Sequence, residues 1–234
     1  MKMREEFVKL MRGSLTKPIF GQLIVYVLLY NAANLLFPGF MLKWGGLIAV
    51  FIVTLMLDMT FWITALPIAE DKETNMIQVM RTSRSIFGYF RGKHLLVLSS
   101  MGVMALLLRA TNLWNGQTAV FVYLTLLVVL VMMGLALVTV IFIKNQFYIL
   151  GIGSFFNVLS IIVLCRMALP MWNIPKIPLN PFNELIRGYY DLFYPLAGGN
   201  VPLNLVALTI IAVGFYLACA ALFYKLTYKN GFLL

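Results

Sequence analysis

Residues 118–143 read TAVFVYLTLLVVLVMMGLALVTVIFI, twenty-six positions without an acid, a base or a histidine. As a helix the run would be roughly 39 Å long at about 1.5 Å per residue, more than the roughly 30 Å of hydrocarbon in a bilayer. Its apolar residues follow one another without alternation, which does not suit a barrel strand with one polar and one lipid-facing side. A helix closes its backbone hydrogen bonds within the segment, as hydrocarbon demands. This stretch makes lipid the solvent of the chain and helix its secondary structure, with length to spare for tilt.

The rest of the sequence extends that reading. Of 234 residues, 62% are hydrophobic and 11% charged, with a mean hydropathy of +0.93. Soluble domains carry about 25% charged residues, so this chain lacks the polar surface to enclose its own core in water. Five further apolar runs accompany the first: Pro18–Phe37, Trp44–Pro67, Leu95–Ala110, Phe147–Leu169 and Leu203–Tyr224. The expected fold is an all-α integral membrane domain of six transmembrane helices covering residues 1–234. No internal repeat of 20–50 residues divides it.

Basic residues orient the spans. With both termini in the cytoplasm, thirteen of the eighteen Lys and Arg residues fall on the inner side and five on the outer, as the positive-inside bias requires. The net charge of +10 then reports topology and attraction to anionic membrane lipids rather than a nucleic-acid footprint. Within residues 1–17, Met3, Phe7, Leu10, Met11 and Leu15 recur at three- and four-residue spacing. That spacing predicts a helix lying on the inner leaflet. The apolar run after it continues through Leu35, Leu36 and Phe37 without an A-x-A site, so it is expected to be an uncleaved first span.

Loops are short with two exceptions. PGFMLK and TNLWNGQ read as tight outer loops, and Lys144-Asn145-Gln146 as a tight inner turn. The outer segment 170–202 is long. Pro170, Pro175, Pro178 and Pro181 interrupt it, and Phe182, Leu185, Ile186, Tyr189, Tyr190 and Phe193 then form one apolar-aromatic face. An interfacial or re-entrant outer helix before the sixth span suits that pattern. The inner segment 68–94 is the other exception: between Glu70 and Arg91 it carries seven of the chain's twenty-six charged residues.

Catalytic patterns are missing. His94 is the single histidine, no H-E-x-x-H occurs, and Gly151-Ile-Gly-Ser154 follows no strand. Gly88-Tyr-Phe-Arg-Gly92-Lys93-His94 has three residues between its glycines and His94 after the lysine. A phosphate-binding loop needs four, then Ser or Thr. The chain therefore reads as no enzyme, with no ATP site, metal or cofactor of its own. Cys165 and Cys219 differ in expected depth and read as packing residues. Asp58 lies roughly 13 Å inside the second span and Asn157 at similar depth in the fifth. Asp58 is either part of a substrate path, with Asn157, or a structural group hydrogen-bonded to Asn157, Thr54 or the backbone.

The order of parts resembles the permease subunit of ATP-binding cassette exporters of the second type. An amphipathic start, two spans, a long inner tract, four spans and a broken outer segment before the last cover nearly the whole chain. Glu73, Gly92 and Lys93 match family positions around the inner tract, and Asn180-Pro181 and Arg187 match those before the last span. Thr74, Asn75 and Ser83 stand where the family usually has Gly, Thr and Pro. The resemblance implies a cytoplasmic coupling helix in residues 68–94 that rests in a groove of a separate ATP-binding subunit. Met76, Ile77 and Met80 would supply apolar contact, and Glu70, Asp71, Glu73, Arg81 and Arg84 a polar rim. It further implies pairing with a second permease subunit, as a homo- or heterodimer, in the cell membrane, and an amphipathic cargo. The alternative is a six-span substrate-binding subunit or secondary carrier.

Overall fold

The computed structural model describes residues 16–73, 86–110, 117–143, 145–155, 158 and 205–226, with the backbone path alone at 16–17, 42–47, 50, 86–91 and 117. Among these residues every regular element is helical: α1 Thr16–Leu36, α2 Pro38–Glu73, α3 Ile86–Leu108, α4 Gln117–Phe142, α5 Gln146–Phe155 and α6 Leu205–Tyr224. Four segments are long and apolar enough to cross a membrane: Pro18–Leu36, Phe51–Glu73, Thr118–Phe142 and Leu205–Tyr224. Gly92–Leu108 of α3 and α5 are shorter apolar helices. The start of the expected fifth span is thus helical to Phe155, and its remainder, residues 156–169 with Val158 excepted, lies outside the described residues. So do residues 1–15 and the outer segment 170–202.

Cross-helix contacts set the direction of each helix. The Asn31 side-chain amide donates to the Leu107 carbonyl at 2.8 Å, so α1 and α3 finish at the same end of the bundle. Lys93, early in α3, meets Asp71 near the end of α2, so α2 runs opposite to both. Arg109, just past α3, lies over the Phe121 ring at the start of α4, 5.9 Å from its centroid, within cation–π range. The Lys72 ammonium donates to the Val140 carbonyl at the other end of α4. Tyr123 on α4 shares a hydrogen bond with Thr209 on α6, and Gly134 lies against Phe215 and Cys219, so these two helices run parallel. Glu73 binds the first residue of α5, and Gly153 packs on Trp62, which sends α5 back along α2. Successive helices therefore alternate in direction from α1 to α5. One end of the bundle holds Asp71, Lys72, Lys93 and Gln146, and is called here the charged end.

Helices α2 and α4 form the core. The Phe51–Glu73 segment is 83% buried, whereas Leu205–Tyr224 is 17% buried and presents Val206, Ile210, Leu217 and Leu222 outward. Apolar residues surround each helix rather than forming one stripe, as expected where both neighbours and solvent are apolar. Hydroxyls on the buried helices bond back to their own backbone: Thr60 to the Met56 carbonyl at 2.9 Å, Thr125 to Phe121 at 2.8 Å and Thr139 to Leu135 at 2.9 Å. That arrangement removes the cost of a bare donor without needing water.

Two expected boundaries change. PGFMLK is not a loop but begins α2, for Pro38 occupies the first turn, where its missing N–H costs nothing. Helix bonding resumes at once, from the Met41 N–H to the Phe37 carbonyl at 3.0 Å. At the other end, α2 passes through Pro67 and ends only at Glu73. Pro67 removes a single backbone donor, and the burial of Ile68 and Ala69 after it holds the helix. The inner segment therefore starts as six more helical residues of α2. The short third run, 95–110, belongs to a helix that extends back past Lys93 to Ile86.

Glycine positions test the packing of α4 on α6. A Cβ at Gly134 would lie 3.0 Å from the Phe215 ring, whereas one at Gly102 would meet Leu126 at an ordinary 3.5 Å. Gly134→Leu should lower the unfolding transition in detergent by the equivalent of about 1–3 kcal/mol, the usual cost of overpacking. Gly102→Ala should leave stability unchanged or raise it by at most about 1 kcal/mol. Circular dichroism melts of the two variants check both outcomes.

Candidate functional site

Asp71, Lys72 and Glu73 are consecutive, and on a helix each points about 100° from the last. At the end of the central helix that geometry sends them to three different neighbours. The Asp71 carboxylate accepts from the Lys93 ammonium of α3 at 3.0 Å. The Lys72 ammonium donates to the Val140 carbonyl of α4. The Glu73 carboxylate accepts two bonds from Gln146 of α5, from its backbone N–H at 3.0 Å and its side-chain amide at 2.8 Å.

Each bond answers a need of the helix it reaches. Val140 lies in the last turn of α4, at the negative end of the helix dipole. A lysine there is favourably placed. Gln146 opens α5, where N–H groups are bare and the dipole is positive. The Glu73 carboxylate completes a cap that Asn145 begins, its side-chain oxygen accepting from the Phe147 N–H at 2.8 Å. Lys93 is buried, as is Lys72, so their charges are matched rather than solvated. The three residues tie α3, α4 and α5 to the end of α2.

The expected contact residues divide accordingly. Glu70 is half-buried and has an interaction partner. Asp71 and Glu73 are engaged within the chain. Met76, Ile77, Met80, Arg81 and Arg84 lie outside the described residues, as does Asn157. Asp58 is buried in α2 and has an interaction partner. It lies more than three turns short of the charged cluster, so the structure does not bring it together with Asp71 or Glu73.

A second feature lies beside this cluster. Near the charged end, α3 and α6 enclose a cavity of about 480 Å³. Its floor includes Leu98, Leu137 and Ala220, and its polar groups include His94 and Tyr216. These two share a hydrogen bond of 2.5 Å between His94 Nδ1 and the phenol oxygen, with rings edge to face at 5.7 Å. None of the sequence patterns singles out Tyr216. A tyrosine two turns inside an otherwise apolar helix, together with a lone histidine at the edge of another, is the signal that pairs them. Cys219 is buried, beside Gly134, in keeping with packing. Among the described residues no group of His, Cys, Asp or Glu could hold a metal ion.

Compared with known protein families, curated proteins and solved structures, the chain matches none of them.

The Asp71–Lys93 bond can be weighed by a double-mutant cycle. Asp71→Ala takes the hydrogen-bonded carboxylate away from a buried ammonium and should cost about 3 kcal/mol. Adding Lys93→Ala should return part of that loss, a coupling energy of about 0.5–3 kcal/mol. Chemical unfolding in mixed micelles measures both.

Proposed function

We propose that this chain is the membrane-spanning subunit of an ATP-driven exporter. A separate ATP-binding subunit supplies the energy, a second permease subunit completes the path, and an amphipathic cargo crosses by alternating access. In this reading six helices span the cell membrane and both termini are cytoplasmic, so the charged end faces the cytoplasm.

The observation that carries the proposal is the triple attachment at Asp71, Lys72 and Glu73. Residues 74–85 join the end of α2 to the start of α3, and so leave directly from the point where four helices meet. A motor docked on residues 74–85, with Met76, Ile77 and Met80 as apolar contact and Arg81 and Arg84 at the rim, would load those four helices together. Glu70, Asp71 and Glu73 keep their expected place in the rim, and Asp71 and Glu73 would also pass force on to α3 and α5. The alternative of a substrate-binding subunit or secondary carrier rests on the buried Asp58, which would act with Asn157 in a substrate path.

Gentle detergent extraction of the native membrane tests the choice. The wild-type chain should co-purify with a subunit that hydrolyses ATP. Ile77→Asp should insert and accumulate normally but lose about nine-tenths of that hydrolysis, a tenfold effect worth ~1.4 kcal/mol. If the Ile77→Asp chain retains its partner and full hydrolysis, the coupling role is wrong. If no ATPase accompanies the wild-type chain, the exporter reading loses its basis.

A further inference from the structure

The cavity between α3 and α6 has features that packing alone does not require. Both α3 and α6 pack on α4, and between them, over Leu137 of α4, a space of about 480 Å³ stays open. That volume falls within the range of small-molecule sites, which combine apolar walls with a few convergent polar groups. The wall is aliphatic at Leu98, Leu137, Ala220 and Ala221, and His94 and Tyr216 hydrogen-bond to each other at its edge. Leu95, Leu217 and Tyr224 at the flanks are well exposed, so the cavity opens on an apolar stretch of the bundle's outer surface.

We propose that this cavity binds a single-chain, uncharged amphiphile of the fatty-alcohol class, drawn laterally from the membrane. Three observations select that chemistry. The aliphatic wall accepts a hydrocarbon chain and offers a charged headgroup no acid or lysine among its described residues. The adjacent ammonium, Lys93, is held by Asp71. A hydroxyl both donates and accepts, so it can join the His94–Tyr216 pair without leaving either group bare. Small residues at 220 and 221 leave the chain its room. A stage in cargo movement at this site rests on the permease reading, but occupancy itself does not.

Photolabelling of the full chain in phosphatidylcholine nanodiscs tests occupancy, with a mid-chain diazirine analogue of hexadecanol as probe. Adducts mapped by mass spectrometry should concentrate at Leu98, Leu137 and Ala221, about tenfold above the lipid-exposed Leu28 and Ile210. Excess hexadecanol should remove the pocket adducts, and hexadecane, lacking the hydroxyl, should do so poorly. Tyr216→Phe should abolish that difference. Ala221→Trp fills the cavity from an exposed position and should cut labelling about tenfold while the helical signal and melting transition are kept. The proposal is overturned if labelling is uniform over lipid-facing residues, if Ala221→Trp leaves it unchanged, or if hexadecane competes as well as hexadecanol. No nucleotide, ATPase or transport enters the measurement, so its failure and that of the exporter reading are told apart.

Discussion

Three adjacent side chains at the end of one helix hold the charged end together. Because Asp71, Lys72 and Glu73 are spaced by the helical turn, they cannot all face one neighbour. The bundle places a different helix before each: a base for the acid, a backbone carbonyl for the base, and the backbone N–H and side-chain amide of Gln146 for the second acid. Removing Asp71 takes an anion from the buried Lys93, removing Lys72 takes a donor from the end of α4, and removing Glu73 opens the cap of α5. Central position and charge coincide in α2 because only a central helix touches three others at once.

Around that anchor the bundle is held by shape. In lipid, apolar surface gains little by leaving its surroundings, so helices associate through close contact and small residues. Gly134 provides such a contact, letting Phe215 and Cys219 of α6 approach α4. Gly153 does the same for Trp62, since a Cβ there would run into the indole. Away from the charged end, the Thr60 and Thr125 hydroxyls bond to their own helix, and the Asn31 amide donates both to Val27 of its own helix and to Leu107 of α3. Exposed aromatics gather where helices turn, Phe37 and Phe40 at one end and Phe142, Phe147 and Tyr148 at the other.

Composition and run length made the helices legible, since both follow from how much apolar surface a segment carries. The α4 run 118–143 appears as a helix from Gln117 to Phe142, and the last span is placed within two residues of its observed start. Helix ends were less legible where proline was read as punctuation. Pro38 opens a helix, where its missing N–H costs nothing, and Pro67 is carried inside one, next to the buried Ile68 and Ala69. The charged cluster was visible as an accumulation of charge, but its pairings were not. Asp71 and Lys93 are 22 residues apart, and Glu73 and Gln146 are 73 apart, and only the packing of α2 brings them together. The cap was half-written in the sequence, in Asn145 before an apolar run. The His94–Tyr216 pair spans 122 residues and left only the oddity of each residue in its own helix.

Pro67 gives the anchor a mechanical character. The helical ladder of α2 is one rung short at Ile63, whose carbonyl receives no N–H from position 67. A rod with a missing rung is most compliant there, and kinks in helices concentrate at such points. The six residues beyond it, Ile68 to Glu73, carry every attachment to α3, α4 and α5 at the charged end. A load applied at that end would bend α2 most easily at this joint, about a turn behind the first of those attachments.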